Sequence, residues 1–222
     1  MRRYDVLTFD CYGTLIDWER GIADAFESAA RADGVTIDRA AMLAAYHAIE
    51  PMVQAERYRD YRDVLGLTAR RVAERLGWVL APGRESFLAD SLPSWSPFAD
   101  TNGALRRLAE AGHQLAILSN VDDDLLAASR RDLAVELDFV ITAQQVGSYK
   151  PAPAHFQTAR KRIGDARWLH VAQSYFHDIV PARRLGIASA WINRKRERPS
   201  GDERPDVEVS TLAEAADWLT KL

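Results

Sequence analysis

The chain has 222 residues, of which 47% are hydrophobic and 27% charged, with one cysteine and a formal net charge of -3. This length can bury a sizeable core, so one large domain or a domain with a smaller insert is expected. The charge excludes the basic field of a nucleic-acid-binding protein, the single cysteine excludes an internal disulfide, and neither a membrane-spanning run nor a signal peptide is apparent. We therefore expect a cytoplasmic protein with a small-molecule partner, no nucleic acid and no membrane.

Short apolar runs alternate with helical patterns along most of the chain. The runs cover residues 4–10, 114–120, 138–143, 169–174 and 188–193, and their continuous apolarity is typical of strands covered on both faces. The helical patterns cover residues 101–112, 122–134, 153–164 and 177–186, three of them ending at Gly112, Gly164 and Gly186. The alternation predicts an α/β fold with a Rossmann-like parallel sheet.

Residues 16–92 break this alternation. The segment shows helical periodicity without a convincing strand, and we expect four helices at about 21–34, 39–58, 60–77 and 83–95. An all-helical block after the first strand of a parallel sheet is best explained as an inserted cap. We therefore predict a core of residues 1–15 and 93–222 and a helical cap of residues 16–92, with a polar loop of mixed charge at 193–206.

Polar residues end the predicted strands. Asp10 follows the first strand, Ser119 and Asn120 end the second, Lys150 lies in the loop after the third, and Asp178 follows the fourth. Ligands bind at the carboxyl ends of strands in an open α/β sheet, so these groups are expected to share one rim. Taken singly, each has a structural explanation; Ser119 and Asn120, for example, could cap the following helix. Four strand ends together favour a site.

Four motifs, "FDCYGTL", "LSN", "SYKP" and "AQSYFHD", resemble the motifs of the haloacid dehalogenase superfamily in order and spacing, over nearly the whole chain. The resemblance implies a Rossmann-like core with a helical cap. It also implies that Asp10 attacks the substrate and forms a covalent aspartyl intermediate, which is then hydrolysed.

Two departures from the common pattern concern the subclass. Most members of the superfamily are magnesium-dependent phosphatases with an aspartate two residues after the nucleophile and another at the start of the fourth motif. This chain has Tyr12 and Gln173 at those positions, so a general acid is missing and an amide replaces a magnesium-binding carboxylate. Both departures resemble the L-2-haloacid dehalogenase branch, which implies no metal and no cofactor.

That branch implies roles for individual residues. Asp10 would attack C2 of an (S)-2-haloacid, Thr14, Ser119 and Lys150 would hold Asp10 and the substrate carboxylate, and Asp178 would activate the hydrolytic water. A halide is weakly basic and needs no proton, so Tyr12 is tolerable there. The expected substrate-binding residues are Cys11, Tyr12, Asn120, Ser174 and Tyr175.

Other departures surround the substrate. The branch has a cap arginine at a position that falls near Met42, where no arginine matches it, a tyrosine where this chain has Phe156 and an asparagine where it has Tyr175. The candidates that could replace the cap arginine are Arg39, Arg57, Arg59 and Arg62. Trp18 and Phe176 could form part of the apolar wall of the substrate pocket, and His177 is expected to have a structural role.

Three other functions stay open. The framework could hydrolyse a carbon to nitrogen bond in a strained cyclic amino acid such as azetidine carboxylate, or it could be a magnesium-dependent phosphatase. From another class, the chain could be a catalytically silent binding module. Family resemblance also allows a homodimer formed through the cap.

Overall fold

The computed structural model describes residues 3–221, so residues 1, 2 and 222 of the predicted core lie outside the described part. A six-stranded parallel sheet forms its centre, with strand order β3-β2-β1-β4-β5-β6. The strands are β1 Val6–Phe9, β2 Gln114–Ser119, β3 Phe139–Thr142, β4 Trp168–Ala172, β5 Ala188–Ile192 and β6 Val207–Val209. The order reverses between β1 and β4, which is where open α/β sheets form a ligand cleft.

The central strands form because their sequences are apolar without alternation. All residues of β1 and β4 are buried, as are all of β2 except Gln114. Helices therefore cover the sheet. Those outside the cap are α5 Thr101–Glu110, α6 Asp123–Ser129, α7 Ala143–Val146, α8 Ala154–Ile163, α9 Val180–Arg184 and α10 Leu212–Thr220.

Four helices lie between β1 and α5. They are α1 Trp18–Ala32, α2 Arg39–Glu56, α3 Tyr61–Arg75 and α4 Phe87–Ser91. In α1, the buried residues recur at helical spacing, including Ile22, Phe26 and Ala30, and the Asp17 carboxylate accepts from the backbone N–H of Arg20 at 3.3 Å. These helices have one apolar face each and pack against one another and the core.

The cap helices leave and rejoin the core at one place. Ile16 and Pro97 form an antiparallel bridge, and the backbone N–H of Asp17 donates to Ser96 O at 2.9 Å. A second attachment caps α3 from the core, because the Asp122 carboxylate accepts the N–H groups of Tyr61 and Arg62 at 2.7 and 2.9 Å. A carboxylate at a helix N-terminus satisfies free donors and complements the helix dipole, so it orients the cap over the sheet.

The predicted α/β fold is confirmed, and the predicted strands match β1 to β5 to within two residues at each end. The fourth cap helix is shorter than predicted, because Gly83 adopts a left-handed conformation before it and Pro93 follows it, so α4 is flanked by 3-10 turns. Strand β6 and helix α10 were not predicted. The boundaries of the cap at residues 16 and 92 stay a prediction. Every helix in the described part of the chain is too short or too polar to cross a bilayer.

Candidate active site

The turn after β1 positions the first two predicted catalytic residues. Gly13 adopts φ of 98°, and a Cβ atom there would lie 3.0 Å from Trp18 Nε1 and 3.1 Å from Gln173 Oε1, so only glycine fits. The turn brings Thr14 back to Asp10, and Thr14 Oγ1 donates to Asp10 Oδ2 at 2.9 Å. The same Oγ1 accepts the backbone N–H of Gln173 at 2.9 Å, which fixes the threonine rotamer.

Lys150 joins the two predicted catalytic carboxylates. Its buried ammonium lies 2.9 Å from Asp10 Oδ1, 2.6 Å from Asp178 Oδ1 and 2.8 Å from the Leu118 carbonyl oxygen. The Asn120 amide accepts from the Lys150 backbone N–H at 2.7 Å and donates to its carbonyl oxygen at 3.0 Å, which positions the lysine. An ammonium has three N–H donors, and all three are used. Lys150 therefore has no donor left for the predicted contact with a substrate carboxylate.

Asp178 follows β4 in a π-helical turn, Tyr175–Ile179. Its Oδ1 atom receives two contacts, from Lys150 Nζ at 2.6 Å and from His170 Nε2 at 2.9 Å. Within residues 3–221 its Oδ2 atom has no hydrogen-bond partner, although it is buried. One oxygen of the carboxylate is thus anchored and the other is available, which is the arrangement a base for a water molecule requires.

Burial and charge act against each other at this cluster. Burial raises the pKa of Asp10, aided by the neighbouring Asp178, while Lys150 and Thr14 oppose the rise. Burial also raises the pKa of Asp178, but Lys150 and the hydrogen bond from His170 outweigh it and lower this pKa to about 2. For Lys150, burial lowers the pKa and the two carboxylates raise it, with a net rise. The ammonium therefore stays charged and holds Asp178 ionised.

These groups open into a cavity of about 570 Å³ between the core and the cap. The size suits a small molecule. The core residues that line it include Asp10, Tyr12, Ser119, Asn120, Lys150, Gln173, Ser174, Tyr175, Phe176, His177 and Asp178. The cap contributes Trp18, Glu19, Tyr46, His47, Glu50, Pro51, Gln54 and Tyr61, and the loop after β5 contributes Arg194, Lys195, Glu197, Arg198 and Ser200.

The cap wall carries a carboxyl group that the sequence analysis missed. Glu50 accepts hydrogen bonds from Tyr61 Oη at 3.4 Å and from the Gln54 amide. Burial raises the pKa of Glu50 to about 7, against these hydrogen bonds. The signal was available, since Tyr46, Glu50 and Gln54 recur every fourth residue and must share a face of α2.

The predicted substrate-binding residues do not all face the cavity. The Cys11 side chain packs in the hydrophobic core and is not among the cavity-lining groups, so it is placed away from any substrate. Tyr12 lines the cavity, but its hydroxyl is paired with Ser129 Oγ at 2.9 Å. Tyr175 also lines the cavity, but its hydroxyl donates to Glu203 O at 2.6 Å, so its ring forms part of the cavity wall and its hydroxyl is not available to a substrate.

Two serines line the cavity with different freedom. The Ser119 hydroxyl is buried without a hydrogen-bond partner among residues 3–221, so it is free to bind a substrate. The Ser174 hydroxyl accepts the backbone N–H of His177 at 3.1 Å and lies 3.0 Å from His177 Nδ1. Ser174 therefore caps the π-helical turn and contacts His177, which also lines the cavity.

No candidate for a cap arginine is brought to the cavity among the described residues. Arg39 pairs with Asp24 and Glu27 on the surface, Arg59 with Glu56 and Arg62 with Asp124. Neither these three nor Arg57 is a lining residue, and Met42, near which the arginine was expected, is fully buried. Two arginines of the loop after β5, Arg194 and Arg198, do line the cavity. The Arg194 guanidinium donates to Thr14 O at 2.9 Å and pairs with Asp100.

The residues at the site do not fit a magnesium ion. The two carboxylates already share the Lys150 ammonium, and the third acidic position of a typical site is the amide of Gln173. Across residues 3–221 there is no group of three or more His, Cys, Asp or Glu side chains that could hold a metal. A hard dication prefers several carboxylate oxygens, so we derive no step through a metal.

The parallel sheet of this strand order, the polar residues at the carboxyl ends of its strands and the helical cap place the cavity where α/β enzymes bind their ligands. A haloacid dehalogenase-like hydrolase family model matches residues 4–174. The chain therefore belongs to the haloacid dehalogenase-like hydrolase family.

Individual relatives are distant but match over the full length. The chain is 27% identical to an (S)-2-haloacid dehalogenase of Pseudomonas putida, covering 99% of this chain and 98% of the relative. Its fold resembles that of the L-2-haloacid dehalogenase from Xanthobacter autotrophicus with chloropropionic acid covalently bound, with a TM-score of 0.85, 20% identity and 99% coverage of both chains. It also resembles a magnesium-bound hydrolase from Bacillus subtilis, with a TM-score of 0.84, 18% identity and coverage of 99% and 100%.

Proposed function

We propose that the protein is a cofactor-independent (S)-2-haloacid dehalogenase that works through a covalent ester on Asp10. One observation carries the proposal: Lys150 Nζ bridges Asp10 Oδ1 and Asp178 Oδ1 at 2.9 and 2.6 Å, beside a cavity of small-molecule size. This arrangement holds a nucleophile and a base side by side. The full-length similarity to (S)-2-haloacid dehalogenases supports the choice of substrate.

In the first step, an Asp10 carboxylate oxygen attacks C2 of the haloacid from the side opposite the halogen. The new C–O bond forms as the carbon to halogen bond breaks, and the halide leaves with the bonding electron pair. No proton is needed, which agrees with Tyr12 at the position of the general acid, its hydroxyl paired with Ser129. The unpartnered Ser119 hydroxyl is a donor for the substrate carboxylate.

In the second step, water attacks the ester carbonyl carbon of Asp10. The free Oδ2 of Asp178 takes one water proton, the bond between that carbon and the substrate oxygen breaks, and Asp178 passes the proton to the departing oxygen. The other water proton leaves the new Asp10 carboxyl group for solvent, which restores both carboxylates. Lys150 Nζ stabilises the negative charge that develops on the carbonyl oxygen. The product is the inverted 2-hydroxy acid, and one water oxygen remains in the Asp10 carboxylate.

Halide release tests the proposal directly. Purified protein is incubated with chloroacetate, fluoroacetate and each enantiomer of 2-chloropropionate in the presence of EDTA, with Asp10→Asn as the inactive control. We expect halide from the (S) enantiomer and none from the control. Absence of halide from every compound at high enzyme concentration would reject the dehalogenase.

Isotope labelling tests the covalent step. A single turnover in H₂¹⁸O, followed by mass analysis of the peptide that contains Asp10, should place the label on that residue and not on the product. Label in the product alone would indicate direct attack by water on C2.

The open alternatives give different results in the same assays. Hydrolysis of azetidine carboxylate without halide release would indicate the C–N hydrolase, and EDTA-sensitive cleavage of p-nitrophenyl phosphate the phosphatase. An Asp10→Asn variant with undiminished effect in cells would indicate a binding module. The homodimer and the cytoplasmic location stay predictions, which light scattering and cell fractionation can check.

A further inference from the structure

A buried hydrogen-bonded chain runs from the interior of the sheet to Asp178. The Trp168 indole N–H donates to Thr8 Oγ1 at 2.7 Å, Thr8 Oγ1 lies 2.8 Å from His170 Nδ1, and His170 Nε2 lies 2.9 Å from Asp178 Oδ1. Trp168 is 4% exposed, and the other three are at most 1% exposed. Nothing in the proposed reaction uses His170.

The donors and acceptors of this chain determine its proton positions. An indole nitrogen only donates, so Thr8 Oγ1 accepts from Trp168 and meets His170 Nδ1 with its own hydrogen or its second lone pair. A carboxylate only accepts, so the hydrogen between His170 and Asp178 lies on Nε2. The contacts therefore make His170 an N–H donor to Asp178 Oδ1.

The surroundings hold the imidazole in place. Thr8 and His170 are register partners on the neighbouring parallel strands β1 and β4, so the contact is part of the sheet. The ring of Phe156 meets the imidazole edge to face, with ring centroids 5.0 Å apart. The imidazole therefore cannot turn away from Asp178 without breaking both of its hydrogen bonds.

We propose that His170 is a positioning residue for the hydrolytic step, fixing Oδ1 of Asp178 so that Oδ2 faces the water that cleaves the Asp10 ester. Lys150 also holds Oδ1, but it contacts Asp10 as well and must respond when that carboxylate becomes an ester. Of the two carboxylates, His170 contacts only Asp178, and this contact does not change during the reaction. This proposal rests on the proposed dehalogenase function.

The test separates the two chemical steps. Single turnovers with (S)-2-chloropropionate are followed by halide release and by the mass of the Asp10 adduct in the parent, His170→Leu and His170→Gln. The loss of a hydrogen bond to a charged group predicts ester hydrolysis about 10- to 100-fold slower in His170→Leu, with the halide step changed less than about 3-fold. The adduct should accumulate, and His170→Gln, which keeps an N–H donor, should restore part of the rate.

A matched control is His113→Gln. His113 is also buried and contacts Tyr4 O at 3.0 Å, but it precedes β2 at the opposite end of the sheet. This variant should leave both rates unchanged. Equal slowing of both steps in His170→Leu, or no slowing of ester hydrolysis, would overturn the positioning role.

A second measurement does not depend on substrate or on a His170 variant. Nitrogen-15 NMR of histidine-labelled parent protein should show a slowly exchanging hydrogen on His170 Nε2, and its resonance should shift in Asp178→Asn. Absence of a hydrogen on Nε2, or a resonance that Asp178→Asn does not change, would overturn the proposal. If the parent releases no halide but the Nε2 hydrogen is as expected, the proposed function fails and the contact that holds Asp178 stands.

Discussion

Replacing Lys150 with methionine should leave two buried carboxylates without the ammonium that partly neutralises their charge. The parent places one ammonium between two buried carboxylates, of Asp10 and Asp178, which are 7% and 1% exposed. Removing one partner of a buried ion pair typically costs about 3–5 kcal/mol, a large share of a total stability of about 5–15 kcal/mol. Methionine fills a similar volume, so most of the loss is electrostatic.

The loss should depend on pH in a defined direction. In the parent, the pKa of Asp178 is lowered to about 2, so its stabilisation is present above the unfolded value and is lost as pH falls toward 2. Without Lys150, burial and mutual repulsion raise the pKa of both carboxyls. Groups with raised pKa values favour the folded state below their unfolded pKa and lose that contribution as pH rises. The deficit of Lys150→Met should therefore be small near pH 4 and largest at pH 8.

Urea unfolding at pH 4.5, 6 and 8, followed by tryptophan fluorescence, measures this deficit. The exposed Lys161→Met on α8 is the matched control and should change the free energy of unfolding by less than about 0.5 kcal/mol. The double variant Asp10→Asn with Lys150→Met should regain part of the loss, because one of the two unpaired charges is removed. A deficit independent of pH, or no recovery in the double variant, would refute this account of the cluster.

Three other substitutions test separate contacts. Thr14→Val removes the donor to Asp10 Oδ2 and should lower kcat about 10- to 100-fold, whereas Thr14→Ser should keep most activity; equal rates in a halide assay would contradict the contact. Above pH 7 the free energy of unfolding of Glu50→Gln should exceed that of the parent by about 1–3 kcal/mol, and near pH 4.5 the two should be equal. The pKa of Glu50 is raised to about 7, so the parent loses stability as pH rises through 7, whereas glutamine does not titrate. A gain at all pH values would contradict this. Tyr12→Phe should lower the free energy of unfolding by about 0.5–1.5 kcal/mol, because the hydrogen bond to Ser129 is lost, and should leave the rate of halide release within about 3-fold of the parent. Loss of halide release in this variant would instead identify the Tyr12 hydroxyl as a general acid.

The grouping of the candidate catalytic residues could be predicted from sequence because it depends on topology. Apolar runs identified parallel strands, and parallel strands bring their carboxyl ends to one rim, so Asp10, Ser119, Lys150 and Asp178 were expected together. The structure brings these four to one cavity. The individual contacts could not be predicted from sequence, because only the three-dimensional structure shows that all three N–H donors of Lys150 bind groups of the protein itself.

The residues that were missed depend on pairings that local patterns do not contain. His170 lies inside an apolar strand and looks like a core residue, and its partner Thr8 is 162 positions away, joined only by the β1 to β4 register. Strand β6 has three residues of which none is fully buried, so it lacks an apolar signal. Asp122 precedes α6 in sequence yet caps α3 of the cap, a role that requires both domains to be folded.

The charges around the cavity explain how a negative nucleophile and a negative substrate could meet in one site. Asp10 and Asp178 with Lys150 leave a net charge of about -1, and a haloacid adds another, so each further neutral or positive group on the wall lowers the repulsion. Burial supplies one such group, because a Glu50 carboxyl with a pKa of about 7 is largely uncharged in slightly acidic solution. The unpartnered hydroxyl of Ser119 supplies a donor without adding a counter-charge. The cavity wall therefore offers a substrate anion the largely uncharged Glu50, the free Ser119 hydroxyl, and the cationic side chains of Arg194, Lys195 and Arg198 on the loop after β5. These groups explain how a cavity without a cap arginine among its described lining residues could still bind a carboxylate.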